Sequence, residues 1–248
     1  MSRAGVVIAA CLAGGCRAAD PADAVVLAAA SLTDAFTEIG EAYERSHPGA
    51  EVVLELAASS TLAAQVRAGA LFDVLATADE RTMAEAWRAG GVEEPKAFAT
   101  NTLVVIVPSD NPADVRGIED LARPGVEVVL AQRDVPAGSY ARGALEALGI
   151  AEAVERNVVS NALDVNAVAA AVALGEVDAG IVYASDVTPA LRAGVRVFPL
   201  PERASVRVVY AIAIAAEPEN PAGAHAFLDF VGSEAGRGIL AAHGFGAP

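Results

Sequence analysis

The sequence predicts an α/β protein whose mostly parallel strands are shared between two lobes. Three observations point there. From residue 24 onward, short apolar runs of strand length alternate with segments whose apolar residues recur at helical spacing. The chain has 248 residues, 54% of them hydrophobic, enough to fill one large domain or two lobes of about 100 residues each. Finally, the runs 102–108 and 207–214 read as strands that carry the chain out of a first lobe and back into it.

The elements follow in order. Val25 to Ala30 is a buried-looking strand that runs into Ser31. Leu32, Ala35, Phe36, Ile39 and Tyr43 then share one face of a helix over 32–46, which His47-Pro-Gly49 stops. The strand 51–56 ends in Ala57-Ala-Ser59-Ser60-Thr61, and a helix follows with Leu62, Val66 and Ala70 on one face. The strand 72–77 leads to a helix holding Met83 and Trp87. After the strand 102–108, Pro/Asp/Asn-rich turns mark the way into the second lobe. That lobe holds the strand 126–131, a helix over 136–148 with proline in its first turn, a helix over 164–174, the strand 179–183, a helix from about Asp186 and the strand 195–198. Beyond the return strand, Phe227, Leu228, Phe230 and Val231, then Ile239 and Leu240, lie on two C-terminal helices that pack back on the first lobe.

Composition excludes several functions. Acidic residues outnumber basic ones by 32 to 17, a net charge of −15, so neither nucleic acid nor an anionic membrane surface is the partner. Lys96 is the single lysine, which removes the phosphate-loop Gly-Lys-Ser/Thr and the Ser-Lys dyad. His47, His225 and His243 are far apart and lack metal-ligand spacing. Both cysteines, Cys11 and Cys16, lie in a leader with one positive charge, a short apolar run and then small residues, which resembles a signal peptide over 1–19. Leu12-Ala-Gly-Gly-Cys16 resembles a bacterial lipoprotein box whose leucine stands one place too far from the cysteine. Two outcomes stay open, a lipid anchor at Cys16 or a plain cleavable signal ending near Ala18 or Ala19. Beyond Cys16 there is no cysteine, so the mature fold has no disulfide.

Four junctions form one class: Ser31, Ser59-Ser60-Thr61, Pro136-Ala137-Gly138 and Asp164-Val165. Each starts a helix and so offers backbone N–H groups; two add hydroxyls, and none adds a lysine or arginine. In an open parallel sheet such junctions face one crevice, and converging helix starts can hold a desolvated anion without a counter-ion. Taken singly, each has a plainer reading. Ser31 can be an N-cap with Asp34 completing a box-like pattern, one of the three hydroxyls at 59–61 can be a cap, and Pro136 can be an ordinary helix entry. An ionised Asp164 would repel an anion, so binding through the Val165 N–H requires that carboxylate to turn away and cap. Position alone makes Tyr183 a core aromatic rather than a cleft donor.

Ala28-Ala-Ala-Ser31-Leu-Thr-Asp-Ala35, Ala58-Ser59-Ser60-Thr-Leu-Ala63, Val135-Pro-Ala137-Gly-Ser-Tyr-Ala141, Asp164-Val165 and Gly180-Ile-Val-Tyr183-Ala-Ser-Asp186 resemble, in order, the motifs of the substrate-binding proteins of molybdate ABC transporters. The resemblance runs from about residue 24 to the C-terminus. It implies the two-lobed periplasmic binding protein fold of type II, with two mixed sheets flanked by helices and joined by a two-strand hinge. Lobe 1 would comprise 24–103 and 210–248, and lobe 2 would comprise 104–209. It also implies a tetrahedral molybdate or tungstate ligand, with no cofactor, no bound metal cation and no chemistry. Ser31 and Ser59 would give hydroxyl and backbone N–H donors, Ala137 and Val165 backbone N–H donors, and Tyr183 its phenolic O–H. Ala58 departs from the Ser or Gly of many members, and the run Ser59-Ser60-Thr61 leaves open which hydroxyl is the second donor. The expected protein is an exported monomer, periplasmic or on the outer face of the cytoplasmic membrane, that delivers its ligand to a membrane permease. The alternatives are a receptor for sulfate, phosphate or another oxyanion, a serine hydrolase using Ser31 or Ser59, and a ligand-sensing regulatory domain. Against the hydrolase, no Gly-x-Ser-x-Gly elbow surrounds either serine.

Overall fold

A computed structural model describes residues 22–248; the expected signal segment, with Cys11 and Cys16, lies outside the described residues. The strands are β1 (Ala24–Ala29), β2 (Val52–Ala57), β3 (Val74–Thr77), β4 (Lys96–Asn101), β5 (Leu103–Pro108), β6 (Val128–Ala131), β7 (Val158–Ala162), β8 (Ala179–Tyr183), β9 (Val195–Pro199) and β10 (Val208–Ile214). The helices are α1 (Thr33–Ser46), α2 (Ser59–Arg67), α3 (Glu80–Arg88), α4 (Pro136–Ala147), α5 (Ala151–Glu155), α6 (Val165–Ala173), α7 (Pro189–Arg192), α8 (Pro221–Val231) and α9 (Glu234–Ala242). None of the helices among the described residues is long and apolar enough to cross a membrane.

Two five-stranded sheets result, in the orders β2-β1-β3-β10-β4 and β7-β6-β8-β5-β9. Both are mixed. β1 runs parallel to β2 and β3, and β6 parallel to β7 and β8, because helices connect them; β10 and β5 pair antiparallel with both of their neighbours. The expectation of mostly parallel strands holds within these mixed sheets, since in each of them four of the five strands run one way. The exceptions are β5 and β10, the strands by which the chain enters each sheet from the other, which run against the rest. Thr102 alone separates β4 in the first sheet from β5 in the second, so the outward crossing precedes the strand 102–108 instead of following it. β10 makes the return.

Central strands are buried on both faces, which is why β5 and β8 read as unbroken apolar runs. β4 and β7 escaped the sequence reading. β7 carries exposed Ser160 and Asn161 at a sheet edge, and β4 begins with exposed Lys96 and Ala97, so neither shows the apolar run of a central strand. The helix expected from Asp186 is a 3-10 turn over Ala184–Asp186 followed by the four-residue α7. At the C-terminus α8 and α9 do pack on the first sheet's helix layer. Phe227 meets Phe36 and Tyr43 edge to face, with centroids 6.2 and 5.5 Å apart.

The start of α4 is pinned from two sides. Gly138 lies so close to the end of β6 that an added Cβ would stand 2.3 Å from the Ala131 carbonyl oxygen and 2.0 Å from that of Gln132. The buried Arg142, one turn on, donates to the Ala131 carbonyl (2.8 Å), to Asn161 Oδ1 (2.6 Å) and to Glu155 (2.7 Å), which satisfies its charge. Alanine is a better helix former than glycine by about 1 kcal/mol, so propensity and sterics oppose each other at 138. Backbone oxygens cannot move aside as a flexible side chain can, and sterics win. Gly138→Ala is expected to lower unfolding stability by about 1–3 kcal/mol in urea titrations. Gly143→Ala, on the same helix with nothing within 4 Å of its would-be Cβ, is expected to raise it by about 0.5–1 kcal/mol.

Candidate anion-binding site

A small cavity lies where the two sheets meet. Its wall is built from the carboxyl ends of six parallel strands. Ala29, Ala30 and Ser31 follow β1, Ala58 and Ser59 follow β2, and Ala78 follows β3. Across the cavity, Val135, Pro136 and Ala137 follow β6, Asp164 and Val165 follow β7, and Tyr183 ends β8. The expected site residues Ser31, Ser59, Ala137, Val165 and Tyr183 thus line one space, drawn from both sheets. The crevice past the carboxyl ends of strands is where open α/β sheets hold ligands.

The wall is rich in neutral donors. Ser59, Ala137 and Val165 are each in the first turn of a helix, where backbone N–H groups have no intrahelical acceptor. Small side chains at 58, 78 and 137 let a ligand approach that backbone. No lysine or arginine contributes to the wall, and Asp164 is its one acidic residue. The Asp164 carboxylate caps α6 by accepting from the Ala167 N–H (2.9 Å), so it is engaged with its own helix. Among the described residues, no group of three or more His, Cys, Asp and Glu is placed to hold a metal ion.

Each hydroxyl has a distinct setting. Ser59 Oγ accepts from the Ala78 N–H (3.0 Å), which leaves its own proton to donate. The capping reading of 59–61 does not hold, since α2 has no side-chain cap and Ser59 is its first residue. Ser60 faces a different surface depression, with Arg67 and Arg81, and is absent from the cavity wall. Ser31 caps nothing either. It lies within a 3-10 turn, Ala30–Leu32, that precedes α1, and its Oγ pairs with the Tyr210 hydroxyl at 2.8 Å.

Tyr183 is both core aromatic and cavity donor. Its ring is 1% exposed and meets Tyr210 edge to face, with centroids 5.8 Å apart. Its hydroxyl is fully buried and has no hydrogen-bond partner. Burial, with Tyr210 and Asp186 nearby, pushes that phenol well above its ordinary value, so it stays a donor. Asp186 accepts from the Tyr183 N–H (2.8 Å), and burial raises its carboxyl to about 8, opposed by that bond and assisted by Asp164 and Asp34. It is mostly neutral at pH 7.

Sequence reasoning missed four residues around this cavity. Tyr210 and Asn101 stand behind Ser31, Arg142 pins the helix that carries Ala137, and Asn166 donates from α6 to the Ala30 carbonyl (3.0 Å), tying the two sides of the cavity together. Tyr210 carried one usable signal, a lone polar tip in the apolar return strand.

The comparisons agree with this geometry. The model of the bacterial extracellular solute-binding proteins matches residues 24–246. A molybdate-binding protein ModA of Mycobacterium tuberculosis H37Rv is 43% identical over 225 residues, covering 90% of this chain and 84% of the relative. The solved periplasmic molybdate-binding protein of Azotobacter vinelandii superposes with a TM-score of 0.81 at 20% identity, over 91% of this chain and 99% of that one. The sulfate-binding protein SubI of M. tuberculosis superposes at 0.79 and 20% identity, over 90% and 86%. A donor-lined cavity between two mixed sheets, a family match across nearly all the described residues and a 43% identical relative lead to one conclusion: the chain belongs to the bacterial extracellular solute-binding protein family.

Proposed function

We propose that this protein is the exported receptor of an ABC importer and that it closes around a molybdate or tungstate dianion, held by Ser31, Ser59, Ala137, Val165 and Tyr183. One observation carries the reading: a buried, protonated Tyr183 hydroxyl without a partner stands on the wall of a cavity lined by helix-start N–H groups and serine hydroxyls, whose one carboxylate, Asp164, is engaged by its own helix. A buried donor left unpaired costs about 1–3 kcal/mol, and an oxyanion oxygen would recover that cost. The 43% identity to a molybdate-binding protein supports the choice of ligand. The lobe holding β1–β4 and β10 and the lobe holding β5–β9 move as a hinge, with Asn166 clasping Ala30 in the shut form. The protein acts as a monomer outside the cytoplasm, anchored by lipid on Cys16, and passes its ligand to a membrane permease.

The reading includes no chemistry. The oxygens of Ser31 and Ser59 pair with Tyr210 and the Ala78 N–H, and neither has a histidine partner of the kind that activates a nucleophile. A sulfate receptor is the second reading, favoured by the superposition on SubI. Donors alone cannot separate it from the first, because sulfate too is a tetrahedral dianion.

Calorimetric and thermal-shift titrations with molybdate, tungstate, sulfate and phosphate decide between them. Molybdate or tungstate at 100 times its dissociation constant is expected to add about 2.7 kcal/mol of stability. No shift with either sinks the reading, and an equal or larger shift with sulfate transfers it to the second. Ser59→Ala and Tyr183→Phe are each expected to weaken binding by about 1–3 kcal/mol, since each leaves a charged acceptor one donor short. Affinity is also expected to fall as pH rises through about 8, where Asp186 ionises beside Tyr183 and repels the anion. Tyr183 and Tyr210 stay neutral there, so Asp186→Asn should abolish the decline while retaining the acceptor for the Tyr183 N–H.

A further inference from the structure

Ser31 Oγ and Tyr210 Oη lie 2.8 Å apart, and either could donate to the other. The direction is fixed one residue further back. Asn101, buried at the end of β4, accepts the Thr102 N–H on its Oδ1 (2.8 Å), which turns its amide nitrogen the other way. That nitrogen donates to Ser185 Oγ (2.7 Å) and faces Tyr210 Oη at 3.4 Å. An amide nitrogen has protons only and cannot accept, so the phenol oxygen receives on this side and its single proton is left for Ser31. The Ser31 oxygen is then the acceptor of that bond, and its own proton is free for the cavity. The opposite polarity would bring the Ser31 and Asn101 protons to one oxygen and leave the Tyr210 proton buried without an acceptor, a loss of the kind that native interiors avoid.

We propose that Asn101 and Tyr210 are positioning residues of the anion site, forming a directed chain from the Thr102 N–H through both side chains that makes the Ser31 hydroxyl an obligate donor. This rests on the oxyanion reading of the cavity. A serine left free to rotate can present its lone pairs to a ligand, and an anion repels them. On the same side of the site Ser59 is oriented by one backbone N–H, that of Ala78; Ser31 has no such neighbour in the turn and receives its orientation from the two strands by which the chain crosses between sheets. Tyr210 is held for this task by edge-to-face contacts with Phe245, Tyr183 and Phe98, at 5.3, 5.8 and 6.3 Å.

A double-mutant cycle read by calorimetry with molybdate tests the chain. Tyr210→Phe keeps the ring and removes the hydroxyl, and its affinity should drop roughly three- to thirtyfold. Because the tyrosine acts through Ser31, the pair Ser31→Ala with Tyr210→Phe should bind within about twofold of Ser31→Ala alone, whereas the losses of Ser59→Ala and Tyr210→Phe should multiply. A purely structural role for Tyr210 would make both pairs multiply. Wild-type affinity in Tyr210→Phe, or losses that multiply with Ser31→Ala, overturns the proposal while leaving the oxyanion site intact. If the wild type binds none of molybdate, tungstate, sulfate and phosphate, the oxyanion reading fails and the proposal falls with it; if it binds one of the others, the cycle is read with that anion. Should Tyr210→Phe lose cooperative unfolding, Asn101→Ala, which leaves the phenol in place, enters the same cycle with the same expected pattern.

Discussion

The constraint on which the structure depends is the unpaired N–H group at the start of a helix. A strand that ends and turns directly into a helix leaves donors that the helix cannot use, and this fold sets several such turns around one cavity. Two consequences follow for the sequence at those turns. Side chains on the wall must be small so that the backbone is within reach, hence Ala58, Ala78 and Ala137. Any acid must be engaged elsewhere, as Asp164 is by its own helix.

This local character decides what could be read from the chain. Ser31, Ser59, Ala137 and Val165 announce themselves because a strand pattern, a small or hydroxyl residue and a helix pattern are contiguous. The choice of Ser59 over Ser60 is a matter of one helical position, about 100° of rotation, and needed the structure. Tyr183 could be placed at a strand end, but whether its hydroxyl faced core or cavity depended on a ring packed from β10. Asn101, Tyr210 and Asn166 act on partners 84 to 179 residues away, and no local pattern encodes a contact of that span. The same holds for the sheets. Helix-connected strands declared their parallel pairing, whereas the antiparallel partners of β5 and β10 follow from where the chain crosses.

The crossing strands do more than connect. The last residue of β4 and the third of β10 supply the two side chains behind Ser31, and the same Asn101 amide reaches Ser185, just past Tyr183 on the opposite side of the cavity. The segment that must flex if the halves separate is therefore the segment that orients donors when they meet. Such coupling needs no added device.

The absence of any lysine or arginine from the cavity wall has a kinetic meaning as well. The chain carries a net charge of −15, so an approaching anion meets repulsion at long range, offset only close to the cavity by the positive ends of the helices that start there. Dissolved salt shortens the reach of that repulsion to about 8 Å at physiological ionic strength. Uptake of the proposed anion is therefore expected to speed up as salt is added, opposite to the behaviour of receptors that draw anions in with arginine, while a grip made of buried dipoles would be nearly indifferent to salt.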